Sequence, residues 1–195
     1  MGAVDRVLRR HDIRYVVVGG QAVARSAATA TVDVDVMVTT ADYRDAIARL
    51  EQDPELTKAW DGGAVCRFGL RSRPGIPLDV VDAGAFAGLR PGAEFFSFLE
   101  GEESTEVEGI RYASPAAVWY TRLMTKRWRA YAEKIVTNVV DGLGVAVLAR
   151  VEAIGRRFGT ESALRPRLQY VQEELDARSL GPSERDAESS HVGRR

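Results

Sequence analysis

The sequence predicts an α/β fold of the α+β kind, a small mixed, twisted sheet flanked by helices and followed by a helical C-terminal part. Three observations carry this. β-Branched runs at residues 13–18 and 31–38 read as buried or half-buried strands. A stretch punctuated by Gly and Pro holds two further runs, 64–70 and 76–81, which can pair across a turn at 71–75. After Ser114-Pro115 the pattern changes to helical spacing and keeps it to residue 178.

Taken in order, residues 4–10 form a short amphipathic helix with Val4, Val7 and Leu8 on one face. The strand at 13–18 ends at Gly19-Gly20, and an Ala-rich helix at 21–28 follows. The strand at 31–38 leads to a helix at 41–50, with Thr40 as its expected N-cap. A short helix is expected at 93–99 and a last strand at 105–112. Ser114 as N-cap and Pro115 at the first helical position start the helical part. That helix runs through Trp119, Leu123, Arg127 and Tyr131 and resumes over 134–158, with Gly142 and Gly144 bending or breaking it. A final helix covers 161–178. The domain reading is a core at 1–113, a helical part at 114–178 and a polar tail at 179–195 expected to be disordered.

Composition narrows the class. The 195 residues are 45% hydrophobic and 28% charged, with a formal net charge of −1. Such a chain buries a real core and does not favour bulk nucleic-acid or membrane-surface binding. One cysteine, Cys66, excludes an internal disulfide framework and reads as a reduced, partly buried thiol. Early charges at Asp5 and Arg6 argue against a secretory leader, and no apolar run is long enough to span a bilayer. A cytoplasmic protein is expected.

Chemistry is concentrated in a few residues. Side chains two apart on a strand share a face, so Asp33 and Asp35 project together while Val32, Val34 and Val36 project oppositely. Adjacent carboxylates in an apolar strand need compensation, and a hard divalent cation suits their oxygens. Asp79, inside Pro77-Leu78-Asp79-Val80-Val81, puts a third carboxylate on a strand that can lie beside the first. Three such groups can hold two metal ions, with Asp79 serving as general base or as ligand on the acceptor side. Asp82, three residues on, points elsewhere by alternation. Gly19, Gly20 and the backbone of Gln21 can approach phosphate closely.

The stretch Val16-Val17-Val18-Gly19-Gly20-Gln21-Ala22-Val23, followed by Thr31-Val32-Asp33-Val34-Asp35-Val36 and later by Leu78-Asp79-Val80-Val81, resembles the signature of the nucleotidyltransferase superfamily, the polymerase-beta-like fold. Within it the chain is similar to small bacterial toxin-type and AbiEii-like nucleotidyltransferases, and Tyr112-Ala113-Ser114-Pro115 resembles a junction common in that group. The resemblance implies a metal-dependent enzyme that moves a nucleoside monophosphate from an NTP such as ATP to a hydroxyl acceptor, releasing pyrophosphate. It implies two ions of Mg²⁺ or Mn²⁺ on Asp33, Asp35 and Asp79. It points to the 3′ end of an RNA such as tRNA, or a protein, as acceptor, and to a toxin–antitoxin component with a cognate antitoxin as partner. A catalytically lapsed binding module and an antibiotic-modifying nucleotidyltransferase stand as alternatives. The helical signature departs from the group's pattern: Thr29 stands where an Arg is common, Arg122 where Lys is, and Asn138 where an acid is. A Rossmann-type dinucleotide site is disfavoured, because it needs Gly-x-Gly-x-x-Gly where the chain has Gly19-Gly20-Gln21-Ala22-Val23-Ala24, and it leaves the paired acids without a role.

A triphosphate needs cations beyond the metals. Arg122, Lys126 and Lys134 are the candidates, with Lys134 the expected nucleotide contact; a solvated surface is the plain alternative for this stretch. Arg67, Arg71 and Arg73 form a second basic stretch, and the glutamates from Glu94 to Glu108 an acidic one. His11 and His191 are assigned no role.

Overall fold

The computed structural model describes residues 2–26, 31, 33–85 and 92–179, with only the backbone at 74, 92 and 93. Expectations placed on residues 27–30, Val32 and the tail from 180, His191 among them, lie outside the described residues.

The helix α1 (Gly2–Arg10) leads into the strand β1 (Tyr15–Val18), the short helix α2 (Gly19–Ala24), β2 (Val34–Val38) and α3 (Thr40–Glu51). Then come β3 (Leu56–Asp61), β4 (Val65–Leu70), β5 (Arg73–Asp82), α4 (Gly92–Gly101), β6 (Ser104–Val107) and β7 (Ile110–Ala113). The helical part is α5 (Pro115–Met124), α6 (Trp128–Asn138), α7 (Ala146–Arg157) and α8 (Glu161–Ser179). The described strands make one sheet in the order β3-β4-β5-β2-β1-β7-β6. The sheet is mixed as expected: β2 runs parallel to β5 and β1 to β7, and the other pairs are antiparallel.

Strand alternation divides the core in two. Tyr15, Val17, Val36, Val38, Leu78 and Val80 face α1 and α3, where Val4, Leu8, Ile47 and Leu50 complete one cluster. Val16, Val18 and Met37 face the other way, into a cluster that continues through Phe95 of α4 and Trp119, Tyr120, Ile135, Val151 and Val171 of the helical part. Asp35 is in phase with Met37, and Asp79 with Val81, so both carboxylates stand on the side of the helical part. Asp82 has the opposite phase and accepts hydrogen bonds from the Thr40 hydroxyl at 2.6 Å and the Gly84 N–H at 2.8 Å.

Local differences from the expected elements have local causes. Thr39, not Thr40, caps α3; its hydroxyl oxygen accepts from the Asp42 N–H at 3.1 Å. The edge strand β3 was not expected, since its pattern is broken by a register shift between Lys58 and Trp60 and nearly all of it is exposed. The single strand expected at 105–112 is the hairpin β6–β7, because Glu108 and Gly109 both adopt positive φ (52° and 77°), as a tight two-residue turn requires. The first long helix stops at Thr125, whose ψ of 165° is extended, and Arg167 donates to the carbonyl of Leu123 there. Ser114 caps α5 as expected, accepting from the Ala117 N–H at 3.1 Å. The expected break at Gly142 and Gly144 is present, with φ of 152° and 69°.

Candidate active site

Register places the acids. Across the sheet, Arg67 pairs with Asp79, Asp79 with Asp35, and Asp35 with Val18. In-register neighbours project from the same face, so these side chains form a row that ends where β1 gives way to α2. Gly19, the next residue, has a φ of +68°, and a Cβ there would lie 1.7 Å from Oδ2 of Asp35. The carboxylate therefore rests against the first residue of α2, and any side chain there would strain the backbone and displace it. Gly20 is constrained as well: its Cβ would lie 2.5 Å from the Thr31 hydroxyl oxygen.

The three carboxylates have different surroundings. Asp79 is gripped by Arg67, whose Nε and Nη2 donate to its two oxygens at 2.7 Å each. Asp33 lies one residue before β2 rather than on it, and its Oδ1 accepts from the Thr31 hydroxyl at 2.7 Å. That hydrogen bond, with help from Arg122 and Lys134, holds its carboxyl below the usual range despite some burial. Asp35 receives no hydrogen bond or ion pair from the described residues. Burial, with Asp79 and Asp33 close by, pushes its carboxyl up to about 6.

Arg122 is the cation set among these groups. Its guanidinium carbon lies 5.0 Å from the ring centre of Trp119 and 5.1 Å from that of Tyr131. Burial lowers its pKa, while Tyr131, Asp35 and Asp33 pull the other way. It forms no ion pair with a described residue, so its donors are uncommitted. Arg122 is the common wall of two adjoining hollows. The smaller, about 380 Å³, is lined by Gly20, Thr31, Asp33, Lys134, Asn138 and Arg178, among others. The larger, about 600 Å³, holds Gly19, Asp35, Asp79 and Lys126 among apolar walls.

The expected site residues are thus gathered at one cleft, with one exception. Gln21 lines neither hollow, and its side-chain amide donates to the Thr31 carbonyl at 3.4 Å. Among the described residues, no three His, Cys, Asp or Glu side chains converge closely enough to hold a metal ion by themselves. Mg²⁺ needs less than that, since it commonly takes one or two carboxylates and completes its shell with substrate phosphates and water. The unneutralised carboxylate of Asp35 beside Asp33 fits such an ion; Asp79 is held by Arg67. Cys66 is fully buried, and burial pushes its thiol up to about 11. No helix among the described residues is long and apolar enough to cross a membrane.

Arg67 and the aromatic seat of Arg122 were not identified in the sequence. A signal for Arg67 was available, because residues 67 and 79 lie equally far from the centre of the expected turn at 71–75.

No family model matches the chain, and no curated protein does. Among solved structures it is similar to the antibiotic-resistance factor ANT(2'')-Ia in solution, at 12% identity and a TM-score of 0.44 over 97% of this chain and 95% of that one. The same factor in complex with adenylyl-2''-tobramycin gives 13% identity and a TM-score of 0.42, over 92% and 96% of the chains. JHP933 from Helicobacter pylori gives 14% and 0.38, over 92% and 91%. At such TM-scores these are distant likenesses, and the functional reading rests on the site itself.

Proposed function

We propose that the protein is a metal-dependent nucleotidyltransferase that moves a nucleoside monophosphate from an NTP to a hydroxyl acceptor. The observation that carries this reading is the half-buried acid row, Asp79 and Asp35 in register with Asp33 beside them, facing the uncommitted guanidinium of Arg122. Unneutralised acids destabilise a fold, and their gathering beside a cation is what phosphoryl chemistry needs.

Arg122 and Lys134 bind the triphosphate in the smaller hollow, with Gly20 leaving room for it. Asp33 and Asp35 would hold a divalent cation, which when bound neutralises phosphate charge and eases ionisation of the acceptor hydroxyl. Arg67 orients Asp79 through two of its lone-pair directions; a carboxylate has about four, so Asp79 can still accept a hydrogen bond from the acceptor. The acceptor oxygen bonds to the α-phosphorus as the bond from that phosphorus to its bridging oxygen breaks. Pyrophosphate leaves with that electron pair, and the hydroxyl proton passes to Asp79. Most of the acceleration comes from positioning and charge stabilisation.

The toxin-type resemblance points to RNA or protein as acceptor, with a cognate antitoxin as partner, and the antibiotic-modifying alternative points to a small molecule; the lining of the larger hollow bears on that choice. The test is to incubate the protein with each α-labelled NTP, Mg²⁺ and cell lysate, then to separate RNA, protein and small molecules. Label in one fraction, absent with Asp35→Asn, supports transfer. No pyrophosphate release with any NTP would leave a nucleotide-binding module.

A further inference from the structure

We propose that the larger hollow receives an uncharged, largely apolar hydroxyl compound of small-molecule size as the acceptor, an inference that rests on the nucleotidyl transfer proposed above and takes a small-molecule acceptor over a macromolecular one. The walls are Val18, Met37, Val65, Val81, Val118 and Met124. Its volume of about 600 Å³ falls within the roughly 300–1,000 Å³ of pockets that hold drug-sized ligands. The two methionines make adaptable walls, which suit an apolar body of variable shape.

Charge separates this acceptor from the other classes. The Asp79 carboxylate is paired with Arg67, Asp35 lies near Arg122, and Lys126 adds a further positive charge at the wall. A polycation would need surplus carboxylates, whereas Asp79 is taken by Arg67 and Asp35 is the group left for the divalent cation. A nucleic-acid end would bring phosphates against valine and methionine, where only the exposed Lys126 could receive them without desolvation cost. The threonines in the lining offer few anchors: the Thr121 hydroxyl donates to the Val118 carbonyl at 2.7 Å and the Thr125 hydroxyl to the Arg122 carbonyl at 2.8 Å. Of the other polar groups, the acids lie at one end, where the hydroxyl has to arrive, and the Tyr131 hydroxyl and Lys126 ammonium are single points on otherwise apolar walls. An apolar body with one hydroxyl at its end matches that arrangement.

The test uses the full chain with ATP and Mg²⁺, and 2-naphthol as a neutral aromatic hydroxyl probe followed by its own fluorescence. Saturable binding is expected, unaffected by excess tobramycin as a polycation or by bulk tRNA. A lysine placed in the wall, Met124→Lys, should weaken 2-naphthol at least about tenfold by forcing a charge into the apolar site, with ATP affinity unchanged. Val65→Lys, on a half-buried strand position, repeats the test from the opposite wall should Met124→Lys misfold by circular dichroism. Absence of saturable 2-naphthol binding, its displacement by tobramycin or tRNA, or loss of ATP affinity in place of 2-naphthol affinity would overturn the proposal. ATP binding to the unaltered chain is read separately with a fluorescent analogue; its absence removes the nucleotidyl-transfer reading instead.

Discussion

In the smaller hollow Arg122, Lys134 and Arg178 stand around Asp33 and Glu133, whereas the larger is walled by valines and methionines with its acids confined to one end. The two are built from the same elements. β2 sends Asp35 and Met37 to the larger, while Asp33, just before it, reaches the smaller; α5 lends Arg122 to both. The difference arises at α2, where Gly19 opens on one hollow and Gly20 on the other. A site that joins a polyanion to an uncharged partner needs this asymmetry, because cations that hold phosphate would be costly to desolvate against an apolar ligand. Separate substitutions should therefore affect separate substrates.

The largest effect is expected where the hollows meet. Asp35→Asn should lower turnover by at least about a thousandfold, the scale of losing a principal electrostatic group, measured as pyrophosphate release. It should also stabilise the fold. The folded carboxyl titrates at about 6 against 3.8 in a free side chain, so the native state binds this proton more tightly than the unfolded one. Its contribution to stability therefore falls as pH rises from about 4 to 6, and the penalty is complete above 6. Removing the charge should add about 2 kcal/mol at pH 7.5, after allowance for solvent screening, with no gain below pH 4. Metal-free thermal melts across that range check it; an equal gain at every pH would mean that packing, not charge, is responsible.

Arg122→Gln comes next. Loss of a charged donor from a half-buried site should cost about 2 to 3 kcal/mol of nucleotide affinity, read by titration with a fluorescent ATP analogue. Arg122→Lys should not restore it, because a planar guanidinium between two rings is not matched by an ammonium. A full rescue would show that charge alone is needed there.

How much of this site the sequence discloses depends on the range of the interaction. Asp33, Asp35 and Asp79 are legible because strand alternation and apolar flanks are local, and Ser114-Pro115 because capping is local. The separation of Asp33 from Asp35 into different hollows is not, since it depends on where β2 begins. The Arg122 seat is equally hidden, because it is made when α6 brings Tyr131 back against α5 after a break at Thr125 that periodicity did not show. Glu103 teaches the same lesson. A member of the acidic stretch, it is 4% exposed, and it accepts from Arg150 and from the Ser114 hydroxyl, so that α7 and the start of α5 meet on it.

Arg67→Gln separates the hollows in the other direction. It should lower turnover by about tenfold through poorer positioning of Asp79, with nucleotide affinity unchanged. A comparable loss of nucleotide affinity would place Arg67 among the phosphate contacts and weaken the division between the hollows.

The smallest effect is expected at Lys134, the cation that the sequence favoured. It lines the smaller hollow but is exposed, whereas Arg122 is half-buried. An exposed ammonium keeps most of its hydration and is screened by salt, so its attraction for phosphate is weaker than that of a desolvated guanidinium. Lys134→Ala should weaken nucleotide binding by only about three- to fivefold at low salt, and the difference should shrink further at ~0.5 M. Lys126 offers the internal control, because it is also exposed but lines the other hollow. Lys126→Ala should leave nucleotide affinity unchanged at either salt concentration. If the two alanine variants lose affinity equally, long-range attraction to the whole basic stretch is being read, and the triphosphate has no preference for the smaller hollow. If Lys134→Ala alone loses affinity and keeps the loss in high salt, its ammonium is desolvated in the complex, and α6 closes on the nucleotide.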